Sequence, residues 1–278
     1  MQPGIYTSLS NGAYHASAGI SKSGLALMRK TPAHYAAKYI YDRVDDEPSK
    51  AMVIGSAFHT LVLEPDKFSR EYATAPKVDK RTKAGKAEFE QFSLENAGKT
   101  LIDREDLDTI TEMSRSIRAH TGASSLLELA GIAEESFYWI DEQTGHLCKC
   151  RSDWRIPDMR VIVDLKSTDD ASPEGFARSI YKYTYHIQAA WYMGGISQTL
   201  ADPHRTFIFI AVEKTAPYAV ACYKLDADAI DMGRREADSL MRQYAWCKEH
   251  DIWPAYPDEI QEILLPRWAQ TKEVTIYE

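Results

Sequence analysis

Residues 133–168 read AEESFYWIDEQTGHLCKCRSDWRIPDMRVIVDLKST, and the reading of the whole chain turns on them. Residues 137–140 are apolar and aromatic, residues 141–145 (DEQTG) have the composition of a hairpin loop, and residues 146–154 return as a second strand. Val161, Ile162 and Val163 form a short apolar run suited to a buried third strand. Asp164 and Lys166 follow at a spacing of two. In a strand that spacing sets both on one face and turns Leu165 into the opposite core. Asp153, eleven residues before Asp164, is expected at the end of the middle strand, where hairpin pairing sets it beside Asp164. Two carboxylates converging at a strand end, with a lysine alongside, form a hard-oxygen site suited to magnesium. An ion held there activates water and stabilises charge on a phosphate.

A lone D-x-K is common and, by itself, reads as a solvated strand end with a surface ion pair. The wider set is Glu134 or Glu135, then Asp153, then Asp164-Leu165-Lys166 at the end of a Val-Ile-Val strand. Together these resemble the PD-(D/E)XK nuclease core. Asp153 falls where that family places its first aspartate, with Ser152 in front of it instead of proline. The literal Pro157-Asp158 lies in the connecting turn, only six residues before Asp164.

The 278 residues suffice for a sizeable core in one domain spanning 1–278, with a mainly helical portion over 1–130 and the sheet core and C-terminal helix over 131–278. Apolar residues make up 44% and charged residues 27%, as in ordinary globular chains. No apolar run approaches the length of a membrane span, and Met1-Gln2-Pro3-Gly4 begins nothing like a signal peptide, so the expected location is cytoplasmic, with no membrane partner. Of the four cysteines only Cys148 and Cys150 are close, as C-x-C on one strand face. That spacing gives buried free thiols, not a zinc or iron–sulfur site. The net charge of −8 argues against coating DNA by charge alone. The clearest basic run, residues 77–86, carries five cations against one aspartate, and its composition suits a solvated loop leading into a helix.

The first hundred residues read as helical. Ser21 or Ser23 caps a helix through Met28, which Thr31-Pro32 ends or kinks before another begins. In residues 51–63, Gly55 and His59 sit one turn apart. The glycine would allow another backbone to approach, and the imidazole could reach a metal. A histidine among apolar neighbours is more often a hydrogen-bonded core residue, and only the D…DxK pattern raises His59 above that. Two or three polar helices are expected over 84–130. Ser172-Pro173-Glu174 opens one long helix through Met193, with Gln188 and Tyr192 a turn apart. Strands over 206–212 and 218–223 and a helix from Asp226 to about His250 follow. The tail from Trp253 to Trp268 is expected to pack as an extended segment.

More specifically, the chain resembles the nuclease domain of the RecE exonucleases (exonuclease VIII), in the RecB-like branch of the PD-(D/E)XK superfamily. The shared features are Ile20-Ser21-Lys22-Ser23-Gly24-Leu25, Pro32-Ala33-His34-Tyr35, Gly55 with His59, and Leu63-Glu64-Pro65. They continue through Arg81-Thr82 with Ala84-Gly85-Lys86, Cys148-Lys149-Cys150-Arg151, Asp164 with Lys166, Gln188 with Tyr192, and Leu265-Pro266-Arg267-Trp268-Ala269. The resemblance implies an α/β fold in which a mixed central sheet is flanked by helices and preceded by an N-terminal helical region. It implies magnesium-dependent 5′-to-3′ digestion of linear double-stranded DNA from its ends, with manganese as a substitute ion. A toroidal homotetramer and cooperation with a RecT-like single-strand annealing protein in recombination, in a phage or prophage setting, are also implied.

Carried onto this chain, the resemblance gives His59, Asp153, Asp164 and the Leu165 carbonyl to the metal. Lys166 would orient or deprotonate water, or stabilise the phosphate in flight. Glu134, rather than Glu135, matches the family's strand glutamate. Gln188 and Tyr192 would position the scissile strand, and Ser21, Ser23, Arg81 and Lys86 are the candidate DNA phosphate contacts. Two other readings stand beside this one: a nuclease of the same core with other polarity or endonuclease habit, and a catalytically idle DNA-binding assembly protein. A scaffold has no need of His59, Asp153, Asp164 and Lys166 together.

Overall fold

The computed structural model describes residues 1–44 and 47–265. The elements run β1 (Gly4–Tyr6), α1 (Asn11–Ala16), α2 (Lys22–Lys30), α3 (Pro32–Tyr39), α4 (Lys50–Leu63), α5 (Pro65–Glu71), β2 (Tyr72–Thr74), α6 (Lys83–Glu95), β3 (Thr100–Ile102), α7 (Arg104–Ala119) and α8 (Thr121–Glu128). The sheet portion follows as β4 (Ile132–Ile140), β5 (Leu147–Ile156), β6 (Val161–Thr168), α9 (Pro173–Lys182), α10 (Tyr185–Leu200), β7 (Thr206–Glu213), β8 (Val220–Lys224) and α11 (Ala227–His250). Six strands form one mixed sheet in the order β1-β4-β5-β6-β7-β8, in which only β6 and β7 are parallel. The crossover between those two is the α9–α10 pair, as a parallel connection requires.

Strand alternation sends side chains to two separate cores. Val161, Val163 and Leu165 of β6, with Ile210 and Val212 of β7, join Phe58 of α4 and Ile110, Met113 and Ile117 of α7. On the opposite face Ile162, Phe207 and Phe209 join Leu25 and Met28 of α2, Ile187 and Ile196 of α10, and Met241 of α11. Helices therefore cover both sides of the sheet, and the N-terminal helices contribute to both cores, α4 and α7 to one and α2 and α3 to the other. Cys148 and Cys150 are buried free thiols in the second core.

Local capping explains most boundaries. Ser21 caps α2 by accepting the Gly24 N–H, Ser49 caps α4 at Met52, and Asp226 caps α11 at Ala229. The basic run has the same kind of explanation. Thr82 accepts the Gly85 N–H and donates to the Asp79 carbonyl, and a Cβ on Gly85 would meet that carbonyl at 2.2 Å. Arg81 is ion-paired to Asp79.

Several expectations need correction. The helical first hundred residues also hold β1, which pairs with β4, and β2; β3 lies among the polar helices and pairs with β2. Asp153 does not end its strand, because β5 runs on to Ile156. Gly55 faces open space, so no backbone approaches it. The long helix expected from Pro173 through Met193 is two helices, broken at Tyr183-Thr184, where Thr184 is buried with φ +57°. A β-branched residue resists that conformation, and tertiary contacts hold it there. In the tail, Trp253 stacks on Tyr35, and the Pro254 carbonyl accepts the Ala33 N–H, but Tyr256 and the residues around Ile260 and Leu264 are exposed. Pro266, Arg267, Trp268 and Ala269 lie outside the described residues.

Adjacent glutamates on β4 have opposite fates. Glu135 is buried and accepts from Arg155 Nε at 2.6 Å, so it closes a buried ion pair. Glu135→Ala should lower unfolding free energy by about 3–5 kcal/mol, because it strands a buried guanidinium. Urea denaturation checks this, and Glu134→Gln in the same titration should cause no comparable loss.

Candidate active site

The site lies where two neighbouring strands part. β5 and β6 pair over only three positions, Trp154 with Val163, Arg155 with Ile162 and Ile156 with Val161. Beyond them β5 stays with β4 and β6 with β7. Asp153 and Asp164 are the first residues past the paired segment, one on each side of the fork. The Asp153 carboxylate spans the gap by accepting the Leu165 backbone N–H at 2.8 Å, in place of a ladder bond.

Side chains from both covering layers converge on this fork. α4 brings His59, whose Nδ1 lies 3.5 Å from Asp153 Oδ2. α10 brings Gln188, whose amide donates to Asp164, and Tyr192. Lys166, on the same face of β6 as Asp164, is ion-paired to it. Lys22, Ser23 and Tyr185 complete the cleft wall.

Glu134 stands across from Asp153 in the register that pairs Ala133 with Trp154 and Glu135 with Ser152. Its φ of +51° is left-handed, a rare conformation for a strand glutamate. One ligand atom each from His59, Glu134 and Asp153 lies within 4.8 Å of the others. Among the described residues this is the one such grouping of potential metal ligands. It includes Glu134 and leaves out Asp164, which is instead engaged by Lys166 and Gln188.

The electrostatics suit a cation at this group. Burial, then the Asp153 charge, pushes the Glu134 carboxyl up to about 8, against the lowering effect of Arg151. Burial also raises Asp153, against the lowering effects of Lys166 and the Leu165 amide. Asp164 is raised to about 6 by burial, with Lys166 opposing. Burial and then Lys166 lower His59 to about 4, while Asp164 and the Leu165 carbonyl act the other way. The imidazole is therefore neutral and free to ligate at pH 7, and its contact with Asp153 is not an ion pair. Burial disfavours the Lys166 ammonium, but Asp164 and Asp153 outweigh it and raise its pKa. Two facing carboxylates with a neutral imidazole beside them make a donor set that suits a divalent cation.

Of the four expected phosphate contacts, only Ser23 lines the fork. Ser21 serves as a helix cap and faces the neighbouring cavity of about 430 Å³ that Tyr14, Tyr35 and Tyr39 enclose. Ser23 faces both that cavity and the fork. Arg81 and Lys86 do not line the fork. Gln188, expected to position the substrate backbone, lines the fork and donates its amide to Asp164. Sequence reasoning did not assign Tyr185 a role. Its signal is the spacing Tyr185, Gln188, Tyr192, which is one helical face.

The raised Glu134 gives a signed pH dependence. A carboxyl whose folded pKa lies above its unfolded value stabilises the fold fully below about 4.5, and that contribution fades as pH rises through about 8. The metal-free protein should therefore lose thermal stability between these limits, and a divalent cation should restore it most at the alkaline end. Glu134→Gln should flatten the pH curve and weaken the cation's effect. Thermal melts at pH 5 and pH 8, with and without magnesium, check both.

No curated protein matches the chain significantly. Among solved structures, the chain is similar to a "Putative exonuclease" from Eubacterium rectale, at 16% identity and a TM-score of 0.65, covering 96% of this chain and 99% of that one. A second, SSO0001, matches at 13% identity with a TM-score of 0.30 over 68% of this chain and 86% of its own, too distant to carry an argument. The family model described as "PDDEXK-like domain of unknown function (DUF3799)" matches residues 21–265, which include His59, Glu134, Asp153, Asp164 and Lys166. That model spans well over half of the sequence, and the chain belongs to the PDDEXK-like domain family.

Proposed function

We propose that this protein is a metal-dependent DNA exonuclease that hydrolyses linear duplex DNA from its 5′ ends and leaves 3′ single strands. The observation that carries the reading is the fork itself: His59, Glu134 and Asp153 grouped as metal ligands, with the Asp164–Lys166 pair beside them. The similar fold of the Eubacterium rectale protein, described as a "Putative exonuclease", supports the same direction. The shared RecE motifs support the finer points: magnesium with manganese as substitute, 5′ polarity, a toroidal homotetramer, and hand-over of the single strand to a RecT-like annealing protein. With a net charge of −8, tight engagement calls for a defined geometry such as a held end rather than loose attraction along the duplex.

When bound, a divalent cation supplies a water of lowered pKa and neutralises charge on the phosphate. The chain's own residues do the remainder. Glu134 and Asp153 present their carboxylates across the fork, and the neutral His59 adds a nitrogen. The Leu165 amide fixes the direction of Asp153. Lys166 stays protonated at neutral pH, so it serves as a fixed positive charge for the phosphate in flight and not as a general base. Asp164 and Gln188 hold that lysine in place, which makes them positioning residues.

Linear duplexes labelled at the 5′ or the 3′ end, incubated with magnesium or EDTA beside covalently closed circles, test the reading. Early release of the 5′ label as mononucleotides, with magnesium only and with circles spared, is the expected result. Efficient nicking of circles would promote the endonuclease alternative, and no cleavage at all would favour the idle assembly protein. Lys166→Ala should reduce the rate by about 10²–10³-fold while retaining metal binding and the fold.

A further inference from the structure

The break between α9 and α10 places tyrosines where a continuous helix would not. Thr184 is buried in the left-handed region, and the Tyr183 carbonyl that the break frees is taken up by Lys22 Nζ at 2.7 Å. The corner is thus tied to α2, which flanks the candidate active site. Tyr183 leaves it 47% exposed, beside the cleft wall formed by Tyr185.

Rings and cations alternate outward from the fork. Lys166 Nζ lies 4.9 Å from the Tyr185 ring centre, and Lys22 Nζ lies 5.4 Å from it. The Tyr185 and Tyr183 rings follow at 5.7 Å and 32° to one another, and Lys182 Nζ stands 5.0 Å from the Tyr183 ring. Among the described residues neither Lys22 nor Lys182 has a carboxylate partner, in a protein that carries a surplus of acid. A cavity of about 440 Å³ runs along this row, bounded by Tyr183, Tyr185 and Lys182 and sharing Ser167 and Tyr185 with the fork.

Exposed tyrosines alone are ordinary surface. Here a left-handed turn fixes the corner, and neither lysine is held in a close ion pair, although Asp164 attracts Lys22 from within the fork and Asp169 and Asp170 also line the cavity. Ring faces stack nucleobases without regard to sequence, and neighbouring lysines track the phosphates. A paired base in a duplex has both faces occupied by its neighbours, so only an unstacked strand fits.

We propose that Tyr183 is a stacking platform for a nucleobase of the single strand that enters the fork, with Lys22 and Lys182 holding the phosphates on either side. This rests on the nuclease reading for the direction of the strand, but its test does not depend on cleavage. Fluorescence anisotropy of a labelled oligothymidylate, measured in the Lys166→Ala background to prevent digestion, should show a loss of affinity of about 5- to 150-fold for Tyr183→Ala. Tyr183→Phe and Tyr183→Trp should keep or improve it, because the ring and not the hydroxyl stacks. Replacing one thymine by 5-iodouracil and irradiating should crosslink the peptide that contains Tyr183. Equal affinity of Tyr183→Ala and its parent, absence of single-strand binding in the parent, or a crosslink confined to other peptides would each overturn the platform. Cleavage assays on the otherwise wild-type chain are read separately. Inactivity there would defeat the nuclease reading while leaving a binding difference to stand.

Discussion

Two strands that pair for three residues and then separate set the position of every group at the candidate active site. A full β5–β6 ladder would place Asp153 and Asp164 in an ordinary cross-strand pair and close the space between them. The fork opens that space, and the Asp153 carboxylate accepting the Leu165 N–H keeps it from collapsing. That bond stands in for a ladder bond, so it satisfies a backbone donor and aims a carboxylate at once. The left-handed Glu134 is the matching distortion on the far side of β5, since it turns one of two adjacent glutamates toward Asp153 while Glu135 remains with Arg155.

Holding these groups together is electrostatically unfavourable without a cation. Burial raises Glu134, Asp153 and Asp164 above their ordinary range, the Asp153 charge adds to the rise of the other two, and burial keeps His59 neutral. The neighbouring cations compensate only in part: Lys166 pairs with Asp164 and also acts on Asp153, and Arg151 lies 3.9 Å from Glu134, yet all three carboxyls remain raised. A cation bound there gains from the relief of this repulsion as well as from its own ligation. Metal affinity and fold stability are therefore linked through the same carboxylates.

Much of this was legible in the sequence because it rests on short-range pattern. The Val-Ile-Val run, the spacing of Asp164 and Lys166, and the DEQTG loop state the strands and their faces directly. Ser21, Ser49 and Asp226 mark helix starts through their own side chains. What escaped was set by tertiary contact. Residues 173–193 have no proline or glycine at Tyr183-Thr184, so nothing local announces a break that depends on packing and on Lys22 from α2. Residue type and spacing left Glu134 and Glu135 open, and the resemblance favoured Glu134; the physical reason that separates them, Arg155 on the paired strand, is a tertiary one. The composition of residues 77–86 read as a loop leading into a helix, which the cap at Thr82 and the close approach at Gly85 explain, while the phosphate role of Arg81 and Lys86 came only from the resemblance.

The N-terminal helices take part in the site as well as in the fold. His59 reaches the fork because Phe58, the residue before it, is buried between α4 and the β6–β7 face together with Ile110 and Met113 of α7. Burying such a ring contributes about 1.5–3 kcal/mol, several times what a surface ion pair offers. The histidine is thus positioned by apolar packing on one side of the sheet, and Gln188 and Tyr192 by packing on the other. Since His59 extends from one layer and Gln188 from the other toward strands that neither layer could fix alone, the complete group forms only when both cores have condensed on the sheet. A disturbance of either helical layer would then reach the candidate metal ligands or the Asp164–Lys166 pair readily, because past Trp154 and Val163 the two strands no longer pair with each other.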